Sequence, residues 1–278
     1  MYSYTRNYYG KLRGCIFDWS GTLIDKYSIA PVRSLIDTFR DFKIDVTGDD
    51  VRSAMGIRKD EHIKDILNKE HVKSQWMKLY KVPPTNTNFE ELNLHYQMKQ
   101  LDTISEYTEI IPGVRSQLLY FKNNRRLLFG GTTGFYNNIT EKIKEDIRKQ
   151  GLILDAFVSG DDVKNGSRPN PFMLFRCMEL LGISNVRSVL KVDDTIAGVQ
   201  EGLNAGVWTV GVARYSNYMN IHSLDDLEKI TINDYNERVR YSYQKLLHSG
   251  AHYVINDLSE LDNVIRDINS RLKRGESP

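Results

Sequence analysis

Five short apolar runs, each ending in a polar or glycine-containing turn, constrain this 278-residue chain more than any other feature. The first, 13–17, leads into Asp18-Trp-Ser-Gly-Thr22; the others lie at 127–134, 156–160, 189–195 and 208–211. Helical patterns at 114–121, 136–150, 171–181 and 196–205 fall between them. Strand–helix alternation of this kind predicts an α/β fold with a doubly wound parallel sheet. Ligands of such sheets bind beyond the C-terminal ends of the strands, where Asp18, Thr132-Thr133-Gly134 and Asp193-Asp194 would all stand.

The stretch from 31 to 106 breaks the alternation. It carries helical patterns at 32–42, 49–55, 61–67, 72–80 and 89–107 and no strand pattern. It reads as an inserted all-helical cap, a lid over the sheet edge. The expected division is a core of 1–28 and 109–278 and a cap of 29–108. Lys and Arg total 38 against 36 Asp and Glu, a net +2 that gives no reason for a nucleic-acid or membrane partner. Cys15 and Cys177 are too few for a disulfide framework and fit thiols in a reducing compartment. No apolar run reaches the ~20 residues of a membrane span, so a cytoplasmic setting is expected. The tyrosine-rich first thirteen residues read as a flexible arm, and the terminal Lys-Arg-Gly-Glu-Ser-Pro as a frayed end.

Four strand-end elements could carry chemistry. Asp18 can attack phosphorus while binding a metal, and Ser20, Gly21 and Thr22 after it form a turn whose amides can approach phosphate oxygens. Thr132, Thr133 and Gly134 offer hydroxyls and amides to a phosphate. Arg168, in a proline-stiffened loop, offers a fixed cation to a phosphorylated intermediate. Asp193 and Asp194 would make, with Asp18, an oxygen-rich Mg²⁺ site. Each alone has an ordinary reading: an Asx turn, a helix N-cap, a surface arginine, a solvated acidic turn. Their joint placement favours phosphoryl chemistry.

In that order these motifs resemble the haloacid dehalogenase superfamily. Together with Met55-Gly-Ile-Arg-Lys-Asp-Glu-His62, Glu201-Gly-Leu-Asn-Ala-Gly206 and Gly250-Ala-His-Tyr-Val-Ile255, they resemble its phosphonatase family, the phosphonoacetaldehyde hydrolases, from about Gly14 to Asn269. The resemblance implies a small phosphonate substrate and a homodimer. It also implies Mg²⁺ held by Asp18, the Ser20 carbonyl and Asp194, with Asp193 as a further candidate. Lys59 would form an imine with the substrate aldehyde, His62 would shuttle protons and Met55 would shield the imine. The superfamily's usual leaving-group acid is replaced by Ser20, which suits a carbon leaving group. A lysine of ordinary pKa is roughly 99.9% protonated at neutral pH, so Lys59 needs desolvation or a nearby cation. The alternatives are a superfamily hydrolase of another phosphonate or a phosphate ester, and a silent binding protein on the same fold.

Four departures stand out against the resemblance. Phe135 replaces an expected tyrosine, Asp193 an expected glycine and Gly198 an expected acid, while Ser167 reads as an insertion that could displace Arg168.

Overall fold

A computed structural model describes residues 7–278. The strands are β1 (Gly14–Phe17), β2 (Leu128–Thr133), β3 (Ala156–Ser159), β4 (Val189–Asp193), β5 (Trp208–Val212) and β6 (Tyr253–Ile255). Between β1 and β2 come α1 (Ile29–Asp41), α2 (Gly48–Arg52), α3 (Lys59–Asn68), α4 (Glu70–Tyr80), α5 (Asn86–Thr103) and α6 (Val114–Arg125). The remaining helices are α7 (Asn137–Lys149), α8 (Phe172–Leu180), α9 (Ile196–Ala205), α10 (Leu224–Lys229), α11 (Ile232–His248) and α12 (Leu261–Lys273). All six strands are parallel, in the order β3-β2-β1-β4-β5-β6. The chain winds outward from β1 through β2 and β3, then crosses back to β4. That reversal beside β1 is where a doubly wound sheet opens a crevice.

Both faces of the sheet are covered, which is why β1 reads as an unbroken apolar run and β4 is buried throughout, Lys191 included. Cys15 and Phe17 of β1 face one core, shared with α6, α7 and α12, while Ile16 between them faces a second core against α8. Helices α1–α5 enclose a separate apolar cluster built on Leu35, Phe39, Ile63, Ile66, Trp76 and Tyr96. The turn into α1 is unusual: Asp25, Tyr27 and Ser28 all have positive φ, a region that disfavours residues with a Cβ. Asp25 supports it by accepting hydrogen bonds from the Ile29 and Ala30 amides at 3.0 and 3.2 Å.

Three readings of the sequence change. The sheet has a sixth strand: β6, only three residues long, adds to β5, and α10–α12 fill a region for which no pattern was assigned. The arm reading falls partly on residues 1–6, outside the described residues. From Leu12 the chain is fixed, because Leu12 is buried and its amide donates to Asn269 Oδ1 at 2.8 Å. The C-terminal segment is not frayed. Gly275, at φ +81, closes α12 by donating to the Leu272 carbonyl at 3.0 Å, and Glu276 pairs with Arg271 at 2.8 Å. Cys15 and Cys177 are buried and unpaired. Among the described residues no helix is long and apolar enough to cross a membrane.

Candidate active site

Asp18 is the first residue beyond β1, and its amide donates to the Val192 carbonyl of β4 at 2.9 Å. The register of β1 on β4 therefore brings Asp18 beside Asp193 and Asp194. One ligand oxygen from each of the three carboxylates lies within 4.8 Å of the others. Gly21, at φ +81, is forced by this approach: a Cβ there would stand 2.3 Å from Asp194 Oδ2. That oxygen accepts the Asn217 amide at 2.8 Å, and Ser216 Oγ donates to the Asp194 carbonyl at 2.8 Å.

Two buried cations answer the acids. Arg168 Nη1 donates to Asp18 Oδ1 at 2.7 Å, Nε to Glu201 Oε2 at 3.0 Å, and Nη2 to the Thr132 carbonyl and hydroxyl at 2.7 and 2.8 Å. Lys191 Nζ reaches Asp193 Oδ2 and Glu201 Oε2, both at 3.1 Å, and Thr132 Oγ1 at 2.6 Å. Four carboxylates (Asp18, Asp193, Asp194, Glu201) thus face two cations in a water-poor pocket. Burial, then the charges of Asp18 and Asp193, raise the Asp194 pKa well above the carboxylate range. Burial, then Asp193, raise that of Asp18. Excess negative charge on clustered hard oxygens fits a divalent cation such as Mg²⁺.

Several expectations are corrected here. Thr132 does not reach the cavity: side chains alternate along β2, and its hydroxyl is taken by Arg168 and Lys191, leaving Thr133 and Gly134 on the cavity wall. Ser167 does not displace the guanidinium, which reaches Asp18 at 2.7 Å. Its own hydroxyl instead accepts the Arg58 amide at 3.0 Å. Asp193 is no solvated turn. It is fully buried, with Oδ1 held by the Thr195 amide and hydroxyl at 2.9 and 2.7 Å. Its carboxylate occupies the space over Gly198, where a Cβ would fall 1.8 Å from Asp193 Oδ2.

The helical side supplies Lys59, the first residue of α3. It shares a small cavity of about 20 Å³ with Asp18, Ser20, Met55, Thr133, Gly134 and Phe135. Lys59 Nζ lies 3.8 Å from Met55 Sδ and 5.4 Å from the centre of the Phe135 ring. The Phe135 ring thus presents an apolar face to the amine. Burial lowers the Lys59 pKa from 10.5 to about 8 against the opposing pull of Asp18, with Arg168 adding to the depression. His62 does not line the cavity. Its Nε2 donates to the Val51 carbonyl at 2.7 Å, tying α3 to α2, and burial followed by the Lys59 charge lowers its pKa to about 3.

Sequence reasoning assigned no role to Lys191, Glu201, Arg52, Asn217 or Ser28. Lys191 and Glu201 lay inside quoted motifs. The other three carry no local signature: Ser28 lines the cavity, Asn217 holds Asp194, and Arg52 stands one contact further out, on Asn217.

Comparison with known proteins agrees with this geometry. Residues 15–212 match the model of the haloacid dehalogenase-like hydrolase family. The phosphonoacetaldehyde hydrolase of Paraburkholderia xenovorans is 33% identical over 267 residues, covering 96% of this chain and 99% of the relative. That of Bordetella pertussis is 33% identical over 274 residues, covering 96% of each. The crystal structure of a phosphonoacetaldehyde hydrolase-like protein from Oleispira antarctica superposes with a TM-score of 0.95 at 30% identity, covering 100% of both chains. With a six-stranded parallel core, buried acids at its strand ends and full-length relatives above 30% identity, this chain is an enzyme that belongs to the phosphonoacetaldehyde hydrolase family of the haloacid dehalogenase-like hydrolases.

Proposed function

We propose that the enzyme hydrolyses the carbon–phosphorus bond of phosphonoacetaldehyde, giving acetaldehyde and phosphate. One observation carries this reading. A lysine whose pKa is brought down to about 8 by burial shares a small cavity with a strand-end aspartate. Ester hydrolysis needs no lysine that gives up its proton this readily. Cleavage of a carbon–phosphorus bond does, because a carbanion leaves readily only into an electron sink.

In the proposed cycle the neutral Lys59 amine adds to the aldehyde, and with uptake of one proton water is lost, giving an iminium; that proton is returned when the final iminium is hydrolysed. Asp18 attacks phosphorus. The carbon–phosphorus electron pair moves to carbon and on to the iminium nitrogen, leaving an enamine and an aspartyl phosphate. Water hydrolyses the acyl phosphate to phosphate and Asp18. The enamine takes a proton at carbon, and hydrolysis of the resulting iminium releases acetaldehyde and Lys59. The sum is one water consumed per bond broken.

Arg168 orients Asp18 and balances charge on the transferred group. Ser20, Gly21, Thr133 and Gly134 bind the phosphonate oxygens, while Met55 and Phe135 keep water from the amine. Mg²⁺, held by Asp18, the Ser20 carbonyl and Asp194, would draw the phosphonate to the nucleophile and offset its charge. His62 braces α3 through Val51, leaving Nδ1 as the atom for any proton it moves. Residues 29–108 act as the cap and 1–28 with 109–278 as the core. A cavity of about 20 Å³ has room for little more than one water, so the cap must open to admit substrate. The proposed setting is a reducing cytoplasm, with a second copy of the chain as the expected partner; sedimentation tests the latter.

The deciding experiment incubates the enzyme with phosphonoacetaldehyde and Mg²⁺, counts acetaldehyde and phosphate, and traps the imine with borohydride. Equal yields and a reduced adduct on Lys59 are expected. Turnover without an adduct at residue 59 refutes the lysine route, and fast p-nitrophenyl phosphate hydrolysis insensitive to Lys59→Ala assigns the enzyme to ester hydrolysis.

A further inference from the structure

Arg52, the last residue of α2, is buried; Asp25, Asp194 and Asp49 act on its charge from a distance, and no hydrogen bond to a carboxylate is among those it makes to the described residues. Its two terminal nitrogens are spent on oxygens from two separate segments, residue 27 and the loop 217–221. Nη1 donates to the Tyr27 carbonyl at 2.8 Å and to the Asn217 carbonyl and side-chain oxygen at 2.9 and 3.0 Å, and Nη2 donates to the Ile221 carbonyl. Asn217 answers through Nδ2, which donates to the Arg52 carbonyl at 3.2 Å. The same asparagine's amide donates to Asp194 Oδ2 at 2.8 Å. An unbroken polar chain therefore runs from a helix of the 29–108 segment, through one asparagine, to a carboxylate of the acidic cluster.

The Tyr27 contact adds a second element. Tyr27 and Ser28 hold left-handed backbone at the junction between β1 and α1, a conformation that persists only where its surroundings impose it. Here the Tyr27 amide is fixed on the Tyr215 carbonyl at 2.8 Å and its carbonyl on Arg52. One side chain thus grips the junction and the loop beside Asp194 together. On the far side of residues 53–57, Ser167 Oγ holds the Arg58 amide at 3.0 Å without touching Asn217. The turn that delivers Lys59 is pinned at both ends and touched in the middle, where the Gly56 carbonyl accepts Arg168 Nη1 at 3.4 Å; the Arg52 end reaches Asp194 itself, through Asn217.

We propose that Arg52 is a positioning residue that latches the helical segment over the sheet edge and, through Asn217, fixes Asp194, so that closure and divalent-cation binding favour each other. The proposal rests on the reading that Asp18 and Asp194 hold the cation. Coupling of two equilibria is reciprocal: the cation should tighten the latch, and loss of the latch should weaken the cation.

Titration calorimetry with Mg²⁺ and amide exchange at residues 53–58 read both sides without turnover. Arg52→Ala is expected to weaken Mg²⁺ binding about tenfold and to abolish the slowing of exchange that Mg²⁺ produces in the parent enzyme. Arg52→Lys, with three donors and the same charge, should recover part of both. Ser167→Ala should speed exchange at 53–58 yet leave Mg²⁺ affinity within about twofold. Asn217→Ala removes the two side-chain contacts but keeps the bond from Arg52 to the Asn217 carbonyl and the amide bond to Asp194; it should weaken Mg²⁺ in the same direction by a smaller factor and serves should the arginine variant not fold. Unchanged affinity in folded Arg52→Ala or Asn217→Ala overturns the proposal, and so does an equal loss in Ser167→Ala. Absence of Mg²⁺ binding by the parent enzyme refutes the cation reading itself and the coupling with it.

Discussion

Arg168 and Lys59 are both buried cations that line the cavity with Asp18, and their surroundings drive them in opposite directions. Burial alone would weaken Arg168 as a base, but Asp193, Asp18 and Glu201 outweigh it and raise its pKa above the usual arginine value. Lys59 has a thioether and an aromatic ring as neighbours, so burial prevails and brings it down to about 8. Burial among partners makes a charge permanent, and burial without them makes it removable. The sheet edge is thus a fixed electrostatic frame, and the helical side brings to it a group poised to change its protonation.

The sharpest break of this contrast is Lys59→Arg. The guanidinium keeps the charge but cannot give up its proton. Acetaldehyde release in a steady-state assay should fall on the order of 10³-fold or more; activity within tenfold of the parent would show that no neutral amine is needed. Arg168→Lys makes the opposite test, since it keeps a cation but loses the fork that spans Asp18, Glu201 and Thr132. The expected loss in kcat is roughly 10²-fold, and a silent substitution would mean that charge alone suffices at the frame.

A smaller effect is read from pH. With a pKa of about 8, the neutral fraction of Lys59 grows as pH rises, so the imine-forming rate should climb below pH 8 and level off above it. At pH 7 roughly one-tenth of the amine is neutral, against about 0.03% for an ordinary lysine. Phe135→Ala admits water beside Nζ and should move the bend upward; a bend that stays put would show that the ring is not what desolvates the amine. The smallest change is expected from His62→Gln, which can preserve a donor to the Val51 carbonyl. Stability should drop by about 1–3 kcal/mol in a thermal melt, the cost of disturbing a buried polar contact. A rate loss far beyond what that destabilisation explains would assign proton transfer to Nδ1.

The parallel core was legible because β1, β2 and β4 end in residues that serve the site, so the apolar run and its polar terminus mark each strand twice. Helix α9 was read at its observed bounds, 196–205, because its Thr195 N-cap and Gly206 close it cleanly. The region after 213 was not legible. Strand β6 is too short to show alternation, and α11 buries only Ser242 and Leu246 fully, too sparse a stripe for periodicity to detect. At the site, Asp18, Lys59 and Arg168 were visible as motif residues and share one cavity. Thr132 was misassigned because a doublet of threonines does not show which one faces the cavity. Arg52 and Asn217 were invisible because 165 residues separate them.

The carboxylate of Asp193 standing over the bare Cα of Gly198 makes these two positions one locus with two addresses. A chain that carries its acid at 198 and glycine at 193 would hold negative charge in nearly the same volume. Neither arrangement converts to the other by a single tolerated replacement: two acids collide, and two glycines leave Lys191 without one of its counterions. Positions 193 and 198 are therefore constrained as a pair: an acid at either one leaves room only for a glycine at the other.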